Sequence, residues 1–147
     1  MTERTESAET VSRADQAAAL VVGTDEEPWT SDELAEVHKT LQSEAARLRE
    51  EIADAEMEIA ELLRRSTDDG GEDQVDTGSK AFEREHEMSL AASHQEMLNQ
   101  TERALSRISD GTYGVCENCG KPIGKARLLA FPRATLCVTC KQRQERR

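Results

Sequence analysis

All four cysteines of the chain fall within residues 116–147, as Cys116-Glu-Asn-Cys119 and Cys137-Val-Thr-Cys140 with seventeen residues between the pairs. Two Cys-x-x-Cys turns at that separation have the spacing of a closed, tetrahedral zinc site, each turn supplying two thiolates. Four soft ligands leave no coordination position for water or substrate, so the one zinc ion expected here is structural rather than catalytic. Residues 111–147 are too few to bury a core of their own, and metal binding gives them a reason to fold. Two disulfides are the competing reading. The N-terminus, Met-Thr-Glu-Arg-Thr-Glu-Ser, is charged, and the nearby apolar run from Ala17 to Val22 is too short for a signal core or a membrane span. A reducing, cytoplasmic setting with metal-bound cysteines is therefore expected. A thioredoxin-like redox pair is disfavoured because no βαβ pattern surrounds either turn.

The rest of the chain lacks the makings of a large globular core. Aromatic residues are 3% and charged residues 33%, and the apolar inventory is mostly Ala and Leu, a composition that points to long helices. The net charge of −11 is unevenly distributed. Residues 116–147 hold eight Lys+Arg against two Asp+Glu, whereas the remainder is strongly acidic. An acidic body argues against general duplex binding by the whole chain.

Three parts are expected. Residues 1–29 read as a disordered acidic tail. Residues 30–110 read as two helices. Thr30 and Glu33 form a capping box, Asp32 adds favourable charge in the first turn, and Trp29 is placed to staple onto Leu34. From Leu41 the apolar positions Leu41, Ala45, Leu48, Ile52, Ala55, Ile59 and Leu62 step by 4 and 3 in alternation, a heptad seam. A helix over 31–65 would be about 50 Å long. A second, weaker stripe runs through Ala91, His94, Leu98, Thr101, Leu105 and Ile108, with Phe82 and Met88 extending its apolar side. His38 and His94 are expected as seam residues rather than ligands, His94 with its polar atoms satisfied. Two long helices with one connection make an antiparallel hairpin. The predicted fold is mainly α, a helical coiled-coil hairpin followed by a small C4 finger over 111–147. In the finger, Gly114 and Gly120 serve tight turns and Tyr113 packs internally.

The connection, expected over 66–79, carries Asp68, Asp69, Glu72, Asp73 and Asp76 and no cation before Lys80. It lacks the alternating ligands and closing Glu of an EF-hand loop. A hairpin tip also has no cleft in which to shift carboxylate pKa values, so any chemistry there needs a partner's site. No nucleophile–base set or phosphate loop is evident, and an enzyme is not expected.

From Gly111-Thr-Tyr-Gly-Val-Cys116 through Lys-Pro-Ile-Gly-Lys-Ala-Arg127 and Phe-Pro132-Arg-Ala-Thr-Leu-Cys137 to Cys140, the chain closely resembles the signature of the DksA/TraR C4-type zinc-finger family. With the hairpin before it, the resemblance extends from about Glu33 to the C-terminus. It implies a regulator of RNA polymerase that passes its hairpin tip through the secondary channel towards the catalytic magnesium and reads no DNA sequence. A monomer without membrane contact is expected. The longer members carry an Asp-x-x-Asp-x-Ala tip. Here the matching stretch is Asp73-Gln-Val-Asp76-Thr-Gly78, which implies Asp73, Val75, Asp76 and Gly78 as the tip set. Members often act with guanosine tetraphosphate. Of the basic set near the finger, Arg127 and Lys141 match, but Gln100 and Phe131 stand where cations are expected. Losing two cations predicts little or no alarmone dependence. The competing function is a zinc-ribbon adaptor that binds nucleic acid or protein, its helices serving as a dimerising coiled coil.

Overall fold

The computed structural model describes residues 17–68 and 74–146. It contains two long helices, α1 (Ser31–Asp68) and α2 (Gln74–Asp110), and two short ones, α3 (Lys125–Ala130) and α4 (Val138–Glu145). Among the described residues no strand forms; an isolated antiparallel bridge joins Val115 to Pro122. The mainly helical class, with the long helices packed as a hairpin and the cysteine module after them, is as the sequence predicts.

α1 begins at the expected cap. The Glu33 N–H donates to Thr30 Oγ1 and the Thr30 N–H donates to Glu33 Oε1, each at 3.1 Å. Two donors that a bare helix end would strand are satisfied reciprocally. Trp29 and Leu34 are buried in one cluster, the staple that flanks such a box.

Both helices outrun the expected loop bounds of 66–79. α1 continues to Asp68 and α2 begins at Gln74, with 69–73 outside the described residues. Gly78 therefore lies within a helix, where its cost of about 1 kcal/mol relative to Ala is tolerable. Acidic residues such as Asp76 favour a helix start.

The chain forms two compact units. In residues 44–99, α1 buries Ala45, Leu48, Ile52, Ala55 and Leu62, as the heptad requires. α2 answers with buried Leu98 and half-buried Ala91 and His94. Phe82 and Met88 do not extend this stripe: they are 73% and 52% exposed. Stepping back from Ala91 by 4, 3 and 4 lands on Glu87, Arg84 and Lys80, which are half-buried instead. The register is thus set by heptad phase, not by which neighbours are apolar. His94 is only half satisfied, with Nε2 3.3 Å from Glu51 Oε2 and Nδ1 buried without a partner.

The other unit comprises the start of α1, the end of α2, the finger and residues 17–29. Its core joins Ala17, Leu20, Trp29, Leu34, Val37 and Leu41 to Ala104, Ile108, Tyr113, Ile123 and Leu128. Residues 17–29, expected within a tail over 1–29, form a strap packed against the finger; the rest of that expectation, 1–16, lies outside the described residues. Three widely spaced apolar residues, Ala17, Leu20 and Trp29, have no period by which a sequence pattern could reveal them.

Candidate functional site

The finger is built on the end of α2. The Arg107 carbonyl accepts from the Thr112 and Tyr113 N–H groups, and its guanidinium reaches Glu117 at 2.6 Å. Gly111, Gly114 and Gly120 take φ of 79°, 93° and 74°, a region that L side chains avoid. A Cβ at Gly114 would come into ordinary contact with Leu128 and the Val21 carbonyl, so its φ is what favours glycine there. Tyr113 packs internally as expected. It is 1% exposed, its hydroxyl donates to the Pro132 carbonyl at 2.7 Å, and burial pushes its phenol up.

These turns bring Cys116, Cys119, Cys137 and Cys140 together, with all four Sγ atoms within 4.8 Å of one another. Cys119 and Cys137 Sγ are 3.8 Å apart. Tetrahedral sulfurs at a Zn–S distance of about 2.3 Å would be spaced by about 3.8 Å, so the cluster fits that metal. Burial works to raise the Cys116 thiol, but N–H groups of Cys119, Cys137 and Asn118 outweigh it and bring it down to about 6. Asn118 lowers Cys140, yet burial and the three neighbouring thiols hold it up at about 11. The resistance of Cys140 to ionisation beside the other three thiols is what a bound dication would relieve. The Cys137 N–H and the Asn118 amide donate to Cys116 and Cys140 Sγ, each at 3.4 Å, and these bonds orient the ligands from outside.

The predicted tip residues lie at the other end of α2. Val75, Asp76 and Gly78 fall in its first turns, and Asp73 lies outside the described residues. A Cβ at Gly78 would meet nothing within 4 Å. Of the basic residues expected to face a partner, Lys141 is exposed, whereas Arg127 is half-buried with Nε donating to the Leu136 carbonyl at 3.3 Å. Two further groups tie the finger down and were not anticipated. Lys125 Nζ lies 2.7 Å from Glu33 Oε1, and Glu26 accepts from the Ala126 N–H at 3.2 Å. Contacts spanning about ninety residues of sequence or more leave no local signature.

Residues 111–146 match the family model described as the prokaryotic dksA/traR C4-type zinc finger. Over 123 residues the chain is 33% identical to the RNA polymerase-binding transcription factor DksA of Caulobacter vibrioides, covering 84% of each protein. It is 35% identical over 69 residues to the factor of the same name from Salmonella typhimurium, covering 47% of this chain and 46% of that one. The structure of transcription factor DksA2 from Pseudomonas aeruginosa aligns with a TM-score of 0.63 at 30% identity, over 78% of this chain and 84% of that one. A likeness running through hairpin and finger together is far more specific than a cysteine spacing, and the chain belongs to the DksA/TraR C4-type zinc-finger family.

Proposed function

We propose that this chain regulates transcription by binding RNA polymerase as a monomer in the cytoplasm, with its hairpin tip in the secondary channel and one zinc ion held by Cys116, Cys119, Cys137 and Cys140. The observation that carries this reading is the likeness over 84% of the chain to a protein named for polymerase binding, in a molecule with two long helices joined by an acidic stretch of sequence. Residues 68–79 hold five carboxylates and no cation. Such a tip suits a site built around magnesium and basic residues, where the ion dominates the local field. Asp73 and Asp76 supply the charge, and Val75 and Gly78 shape the turn. The finger supplies Lys141, and to a lesser degree Arg127, as polymerase contacts.

The adaptor alternative needs an apolar seam free to pair with a second chain. Leu41 and Leu48 are fully buried within one chain, which supports the monomeric hairpin. No described helix is long and apolar enough to cross a membrane. With Gln100 and Phe131 in place of cations, and Phe131 63% exposed, guanosine tetraphosphate adds little to the effect.

The test is in vitro transcription with core polymerase and a Asp73→Asn/Asp76→Asn protein, with and without guanosine tetraphosphate. The double substitution should abolish the effect on initiation while polymerase binding persists, and the alarmone should change the wild-type effect little. Full activity of the double variant would sink the tip assignment, and strong synergy would sink the alarmone claim.

A further inference from the structure

Lys125 is the first residue of α3, and a cation there opposes the helix dipole. Its surroundings compensate for that misplacement. The ammonium lies 2.7 Å from Glu33 Oε1, the same oxygen that completes the cap of α1. It donates to the carbonyls of Glu27 and Pro28 at 3.4 and 3.3 Å, and stands 5.5 Å from the Trp29 ring centroid. In return the strap's Glu26 carboxylate receives the Ala126 N–H. Trp29 also meets Tyr113 edge-on at 5.8 Å. One side chain, 12% exposed and so weakly screened, thus joins three separate pieces of chain: strap, α1 and finger.

None of these contacts involves a cysteine, and the metal supplies the finger's own folding energy. What Lys125 adds is attachment of the finger to the first turn of α1. A locally unfavourable residue held by distant partners marks a device rather than a propensity. We propose that Lys125 is a positioning residue: it locks the strap of residues 17–29 over the finger and α1, and the effect on polymerase depends on that lock. The proposal rests on the polymerase reading above, because only a partner that engages the finger and the hairpin together would register the loss.

Trp29 is the only tryptophan and reports directly on the lock. The full chain is compared as wild type, Lys125→Met, Lys125→Arg and Glu33→Gln, each measured for zinc content, Trp29 emission with acrylamide quenching, and its effect on transcription by polymerase. Lys125→Met should keep one zinc, shift Trp29 emission to the red and weaken the transcription effect by about fivefold or more. Glu33→Gln should move both signals in the same direction, and Lys125→Arg should restore most of each. A buried Trp29 in Lys125→Met overturns the lock, even if transcription falls, because Lys125 would then touch polymerase itself. An exposed Trp29 with unchanged transcription overturns the positioning role, and loss of zinc overturns the separation from the metal site. If the wild type is silent towards polymerase, that reading and the positioning role both fail, and the Trp29 signal still decides the lock.

Discussion

The finger unit and the unit of residues 44–99 are held together by different physics. The finger is organised by a few specific contacts: four sulfurs, the Tyr113 hydroxyl, the Arg107–Glu117 pair and Lys125. Residues 44–99 depend on a repeated seam, rich in α1 and thin in α2, where Arg84, Glu87 and His94 take places that apolar residues would fill in a strong coiled coil. A module organised around a metal fails all at once when a ligand is lost. A seam loses stability in proportion to what is removed.

Breaking the metal site should give the largest effect. Zinc binding in comparable small modules is worth on the order of 10 kcal/mol, so Cys137→Ser or a strong chelator should take zinc from one per chain to none and unfold the finger. Unchanged zinc content in Cys137→Ser would refute the four-thiolate site. In the seam, Leu48→Ala should cost about 2–5 kcal/mol in urea unfolding while zinc content stays at one. Loss of zinc from that variant would erase the contrast between the two regions. Thr30→Ala removes one half of the capping box and should cost about 1 kcal/mol. Gly78→Ala meets open space on a helix and should stabilise α2 by about 0.5–1 kcal/mol, seen as increased helicity, while strengthening the effect on polymerase.

The smallest effect belongs to the half-buried carboxylates of the lock. The N–H of Lys125 is the main cause holding Glu26 below its ordinary 4.5, and the Lys125 ammonium does the same for Glu33. Carboxyls lowered by folding contribute stability that is present above 4.5 and lost as pH falls through their folded values. Acid titration of Trp29 emission should therefore show a component below pH 4.5 that shrinks in Glu33→Gln. An identical acid profile would remove Glu33 from the lock.

Much of this was legible from local patterns. The capping box, the α1 seam and the cysteine cluster each depend on residues within a few positions of one another or on a known ligand spacing. Phe82 and Met88 are apolar but out of heptad phase with Ala91, so apolar character alone points to the wrong face. Ala17, Leu20, Glu26 and Lys125 were not readable, because their partners lie far along the chain and charged residues have no period to mark them. Gly78 falls in the connection expected over 66–79, yet it lies within α2 as a weak helical residue.

On the proposed function, the hairpin tip enters the polymerase active centre. A photo-crosslinker placed at position 75 of the zinc-loaded chain, mixed with core RNA polymerase, tests it most directly. A crosslink to the catalytic subunit beside the catalytic magnesium is the predicted result. The absence of any crosslink from a folded, zinc-loaded protein, or crosslinks confined to the polymerase exterior, would contradict it.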